Sequence, residues 1–187
     1  MTVSAQWGAH IDQLRPLGEL GLLFEKQIGF GISYQNEFEG GTRAGADFSF
    51  FKMRPRMTEF PIVGTVISGN STFVSLGTQT FYKYHLFFID FYYDWAILDK
   101  DKYQFYAGGG INIGASSVDY EADSPSISSD SFIGGGSIGG VFLRLGYDHN
   151  IGDRFVVGLT GSRRVYFQKD AGIFGDYVYR FKATYYF

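Results

Sequence analysis

The chain contains no cysteine, which excludes a disulfide framework and any thiolate metal centre. It also lacks a long apolar run. A spanning helix needs about 18 consecutive apolar residues, and the richest stretch, Leu86 to Leu98, is broken by Asp90 and Asp94. A transmembrane helix is excluded on that ground. Charge of one sign is scarce: the formal net charge is -3, with no run of Lys or Arg, so no nucleic-acid partner is expected. The three histidines, His10, His85 and His149, are far apart and fit no metal-ligand spacing. Glycine strings such as Gly134-Gly135-Gly136 lack the strand-to-helix context of a nucleotide site. No metal and no cofactor are expected. The start, Met1-Thr2-Val3-Ser4, has neither the basic nor the apolar region of a secretory signal.

What is abundant is glycine and aromatic side chains: 26 Gly, 20 Phe and 14 Tyr. The glycines show no three-residue period, so collagen is excluded. A β-protein that turns sharply and presents aromatic bands to lipid requires this mixture. Period two dominates. At the end of the chain Tyr177, Tyr179, Phe181, Ala183, Tyr185 and Phe187 form one face, and Val178, Arg180, Lys182, Thr184 and Tyr186 the other. The same parity recurs in Phe87–Trp95, Tyr103–Ala115, Ile133–Tyr147 and Phe155–Phe167. It is weaker in Val3–Ile11, Leu20–Phe24, Ile28–Gln35, Arg43–Phe50 and Phe60–Ser68, where Pro61 removes a ladder donor.

These segments predict one all-β domain over 1–187: an antiparallel up-and-down transmembrane barrel of about ten strands, with eight as the alternative. Short turns are expected at Glu25–Gln27, Met53–Met57, Leu98–Lys102 and Asn150–Asp153. Other connectors are expected at Asp12–Leu17, Asn36–Thr42, Gly69–Thr78 and Lys169–Phe174, and the longest at Val118–Ser131. Both termini then lie at one end. A signal peptide is expected to have been removed, with Met1 added afterwards.

The polar parity places Glu19, Glu25, Asp47, Asp90, Asp94 and Asp148 in the lumen, together with Arg43, Arg144, Arg164, Arg180 and Lys182. The signs nearly balance. Two readings follow: an ion-pair network that fills a narrow barrel, or a pore lined by charge. The glycines Gly108, Gly110, Gly114, Gly134, Gly136 and Gly140 also fall mostly inward and are read as curvature and close-packing positions. Trp7, Tyr93, Trp95, Tyr103 and Tyr177 are expected in interfacial girdles. Arg163, alone on an apolar face, is expected near the outer rim, within reach of lipid head groups.

The terminal run Tyr179-Arg180-Phe181-Lys182-Ala183-Thr184-Tyr185-Tyr186-Phe187 resembles the C-terminal β-signal of bacterial outer-membrane proteins, in which a last aromatic follows alternate apolar residues. Tyr179, Phe181, Tyr185 and Phe187 match, with Ala183 between them. The stretches Tyr106–Asn112 and Leu145–Asp148 resemble small outer-membrane barrels of the OmpA/OmpX/OmpW type. The resemblance implies the cell outer membrane of a Gram-negative-type envelope. It also implies contact with membrane lipid and lipopolysaccharide, and recognition by the barrel-assembly machinery during biogenesis. Lipid A-modifying barrels pair His with Ser and an acid near the outer leaflet, and neither His85 nor His149 has such companions in sequence. A structural or surface-interaction barrel is therefore expected rather than an enzyme. A narrow porin-like channel is the alternative, and a soluble lipocalin-like binder is the reading from another class. Deleting Phe187 should impair membrane assembly, visible as loss of the heat-shifted gel band; normal insertion of the truncated chain would refute the signal.

Overall fold

The computed structural model describes residues 4–68, 71–124, 127–152, 154–168 and 172–186. Phe187, the last residue of the expected signal, lies outside them. Nine strands form one antiparallel sheet: β1 (Ser4–Pro16), β2 (Gln27–Glu37), β3 (Arg43–Met53), β4 (Glu59–Ser68), β5 (Ser71–Lys100), β6 (Tyr103–Ser124), β7 (Ile127–Ile151), β8 (Phe155–Gln168) and β9 (Gly172–Tyr186). Pairing of β1 with β9 and of β3 with β5 closes it. The closed wall has eight strands, because β4 pairs only with the first part of β5. The expected barrel stands, and its wall has eight strands, the alternative count, instead of about ten.

Two segments account for the difference. Leu20–Phe24 is not a strand: Glu19–Leu23 forms a single helical stretch, α1. Three alternating apolar residues in so short a run fit a helical turn as well as a strand, and periodicity cannot separate them. Phe60–Ser68 is a strand, but it lies outside the wall in a hairpin with Ser71–Gln79. Its free edge is where Pro61 can sit without breaking a ladder.

Removing the 20–24 strand inverts the sense of β2 and β3. The connectors around 25–27 and 53–57 therefore lie at the end of the barrel away from the termini, here called the loop end. The 38–42 connector, with its 3-10 turn at Glu39–Gly41, lies at the terminal end. The expected connector Asp12–Leu17 is mostly strand, since β1 runs to Pro16. The expected loop Val118–Ser131 is largely a hairpin, with Val118 paired to Gly134 and Glu121 to Ser131. β5, β6 and β7 thus extend as an arm beyond their neighbours at the loop end.

The wall closes with a stagger. Stepping between register partners from Arg15 leads through Tyr177, Arg163, Leu143, Gly109, Tyr93, Ala44 and Asn36, and returns to β1 at Ala5, ten residues lower. An eight-stranded wall with that shear tilts its strands by roughly 40° and leaves an interior that side chains alone can fill.

The two faces differ as the alternation predicts. Outward residues are apolar and exposed: Leu143 and Ile28 at 74% and 73%, with Phe30, Ile11, Ile111 and Phe181 all above half. Trp7, Tyr93, Trp95, Tyr103 and Tyr177 all face outward. Trp7 pairs in register with Tyr34 and Tyr185, and Trp95 lies near Tyr93, in the terminal half. Tyr177 sits in the loop half, beside Arg15 and Arg163. A continuous apolar wall of this size is suited to lipid and not to water. Phe91→Arg should lower unfolding stability in lipid vesicles by about 2–4 kcal/mol, read from urea titration, while Phe91→Leu stays close to wild type. Equal behaviour of the two variants would show that this face does not meet hydrocarbon.

Candidate functional site

The interior is built from alternate residues of every wall strand. Near the loop end it is apolar: Leu14, Phe51, Met53, Leu86, Phe88, Tyr166 and Val178 pack into one buried cluster. Phe24, Tyr84 and Ile138 cover part of it. Below this plug the interior becomes ionic.

Arg180 holds the centre. Its Nε and Nη2 donate to the two carboxylate oxygens of Asp12 at 2.7 and 2.9 Å. Its Nη1 donates to Asp47, and Nη2 also reaches Ser49 Oγ at 3.1 Å. Arg144 makes a second fork, with Nε to Asp94 at 2.7 Å and Nη2 to the other oxygen of Asp94. Its Nη1 donates to Asp47 at 3.1 Å. Arg164 donates to Asp90, which also accepts from Asn112 and lies 3.7 Å from Arg180. Arg43 donates to Asp148. Lys182 lies 3.8 Å from Asp148 and donates to Gln35 at 2.9 Å. Asp12, Gln35, Asp47, Asp90, Asn112, Arg144, Arg164 and Arg180 come one each from the eight wall strands, so the network ties the whole circumference together.

The arrangement resolves a conflict that the sheet itself creates. Asp47 and Asp90 are direct register partners on β3 and β5, and like charges placed opposite one another destabilise a sheet. Arg180 reaches across the lumen from β9 to both. Burial makes this interaction obligatory: Asp47 is 2% exposed and Arg164 1%. Charges in such a place need partners, because leaving one unpaired costs several kcal/mol. Aromatic faces provide further support. The guanidinium of Arg144 lies 3.4 Å from the Tyr92 ring centre and that of Arg43 3.9 Å from Tyr106. Glycines make room for these rings. A Cβ on Gly146 would fall 2.2 Å from Tyr106 Cζ, and one on Gly45 2.6 Å from Tyr92 Oη.

Of the residues expected in the lumen, Arg43, Asp47, Asp90, Asp94, Arg144, Asp148, Arg164, Arg180 and Lys182 are brought together here. Glu25 is not: it is exposed in the connector after α1. Glu19 begins α1 instead of lying on a wall strand, so the lumen assignment of both fails with the strand on which it depended. The interior also holds Asp12, which falls in an expected connector, and Asp176, which precedes the expected strand start at Tyr177. Extending the even parity of β1 and β9 by one or two pairs reaches both. His10, which fits no metal-ligand spacing, bonds Ser33 through Nδ1 at 2.9 Å and Ser49 through Nε2 at 3.2 Å. Ser49 donates in turn to Asp12 at 2.9 Å. The set includes the residue types of a hydrolytic triad. However, His10, Ser33, Ser49 and Asp12 are all at most 4% exposed and sit below the apolar plug, so it satisfies buried polar groups. Among the described residues no cluster of three or more His, Asp or Glu is arranged to hold a metal ion.

No family model matches the chain, and no curated protein sequence does. Solved structures do. Neisserial surface protein A matches over 100% of this chain and 98% of its own, at 11% identity and a TM-score of 0.64. The outer membrane protein OprG from Pseudomonas aeruginosa matches over 99% and 95%, at 11% identity and 0.54. The N-terminal β-barrel domain of Pseudomonas aeruginosa OprF matches over 97% of both, at 10% identity and 0.50. Identities this low speak to fold alone, and the fold is that of small outer-membrane β-barrels.

Arg180→Met should destabilise the barrel by about 3–5 kcal/mol, since it strands Asp12 and Asp47. Adding Asp12→Asn should recover part of the loss. Strictly additive losses in urea unfolding of the folded barrel would show that the two side chains are not coupled.

Proposed function

We propose that this chain is an integral outer-membrane barrel with a closed, charge-networked lumen, and that its role is structural or surface-interacting and not catalytic. The observation that carries the reading is the interior itself. The guanidinium groups of Arg144 and Arg180 are tied by forks to carboxylates, and an apolar cluster spans the loop end above them. Ions cross a pore where binding is weak enough to be left, and bidentate buried pairs are the opposite case.

On this reading the termini are periplasmic and the loop end is extracellular. Function then belongs to the arm made by the β4–β5 and β6–β7 extensions and to the stitched connector around α1. In that connector Arg56 N donates to Leu23 O at 2.8 Å and Arg56 Nε to Gly21 O at 3.0 Å. Val74 and Leu76 on the arm are 74% and 75% exposed, apolar surface available to a partner outside the cell. Membrane lipid and lipopolysaccharide surround the wall, and the barrel-assembly machinery would read Tyr179, Phe181 and Tyr185, which line the outer face of the last strand, together with Phe187.

A narrow channel is the second reading. It is favoured by polar atoms with no protein partner near the terminal end: Nε and Nη2 of Arg43 and Oδ1 of Asp148. Such groups are suited to water. Single-channel recording of the refolded protein in a planar bilayer decides between the two. Folded wild type should give no steps, and Phe51→Ala combined with Phe88→Ala, which thins the plug, should give small ones. Steady steps from wild type would establish the channel.

A further inference from the structure

Among the described residues the lipid-facing wall carries a pair of cations, Arg15 and Arg163, on neighbouring positions near the loop end. Arg15, Tyr177 and Arg163 are successive register partners on β1, β9 and β8, all outward and near the loop end. Adjacent strands lie about 4.8 Å apart, so the two arginine backbones are separated by roughly 10 Å, with the tyrosine between them. Among the described residues neither arginine is paired with a carboxylate. The nearest acid on β9, Asp176, turns inward and accepts from Tyr166 at 2.6 Å.

Arg163 is held in place. Its guanidinium lies 5.1 Å from the Tyr177 ring centre. Nη1 donates to the carbonyls of Arg164 and Asp176 at 2.8 and 3.2 Å. It lies in a slot left by Gly175, where a Cβ would come within 2.5 Å of Nη1. Gly175 and Asp176 are loopward of Tyr177, so the side chain reaches from its apolar level toward the rim, as snorkelling cations do. The remaining donors of a fixed planar fork are suited to a phosphate. Lys52, Arg54 and Arg56 are exposed at the same end on the β3 side, together with Glu25 and Glu59.

We propose that Arg15 and Arg163, on either side of Tyr177, form a binding site on the outer wall for the anionic phosphate of an outer-leaflet lipid. The site rests on the membrane reading above and adds a ligand to it. A protein that leaves a cation on its lipid face incurs a depth-dependent cost, and a lipid phosphate at the rim removes it.

The test uses the full chain in phosphatidylcholine nanodiscs, with and without a minor fraction of phosphatidic acid, read by native mass spectrometry after release from the disc. Wild type should retain phosphatidic acid. The double variant Arg15→Gln, Arg163→Gln should lose retention by about tenfold or more, the scale of one or two charge-assisted bonds. Arg15→Gln alone, at an exposed strand end where folding is undisturbed, should lose part of it. Lys102→Gln at the opposite rim should lose none. Equal retention by wild type and the double variant overturns the site, as does equal loss in Lys102→Gln. Binding of inorganic phosphate by wild type in plain phosphatidylcholine discs, without retention of phosphatidic acid, overturns the lipid assignment. The heat-shifted gel band separates the two failures. Barrels that do not insert refute the membrane reading, whereas inserted barrels that retain no phosphatidic acid refute only the site.

Discussion

Closure of β1 on β9 is the constraint from which the rest follows. Hydrocarbon offers no hydrogen bonds, so every backbone N–H and C=O in the wall must find a partner within it. Eleven successive register pairs from Gln6–Tyr186 to Pro16–Asp176 remove the last edge. The ten-residue stagger accumulated around the wall then sets the tilt and width of the barrel, and the width decides what the interior can be. Eight strands at this shear enclose a space for side chains and little else.

The filling of that space is unusual in chemistry more than in shape. A water-soluble fold would place its apolar residues inside. Here lipid takes them outside, and the interior receives what remains. Charges in such a place are tolerable only when matched, and the matching is collective: Arg180 separates the facing acids Asp47 and Asp90 while forking to Asp12. The network therefore does the work of register specification as well as neutralisation. A one-residue slip of any wall strand would turn its polar set toward lipid and strand the partners left behind.

The two ends of the molecule differ in kind. The terminal end has short connectors and the outward aromatics Trp7, Trp95 and Tyr185. The loop end has the apolar plug, the stitched connector of α1, a tall arm on β5 to β7 and the outward arginines Arg15 and Arg163 on β1 and β8. That asymmetry directs attention to the loop end for any interaction outside the barrel. The same asymmetry puts His10, Ser33, Ser49 and Asp12, which lie within bonding distance of one another, beneath Phe51, Phe88 and Tyr166.

The alternation of residues by itself determined the fold class, the lipid-facing set and most of the lumen charges, because a strand's period of two assigns each side chain to a face without reference to any neighbour. Arg43, Asp47, Arg144 and Arg180 were legible in this way, and so were Trp7 and Tyr93. Parity could not say where strands end or whether a short run is strand at all. Parity therefore puts Glu19 and Glu25 inside on a strand that is a helical turn, assigns Asp12 to a connector and does not reach Asp176, which precedes the expected strand start at Tyr177. Only the tertiary structure decided the count of eight, the free-edged position of β4, and which cation meets which acid. Those pairings span up to 168 residues between Asp12 and Arg180. They depend on the shear of the closed barrel, a property of the whole circumference that no single strand encodes.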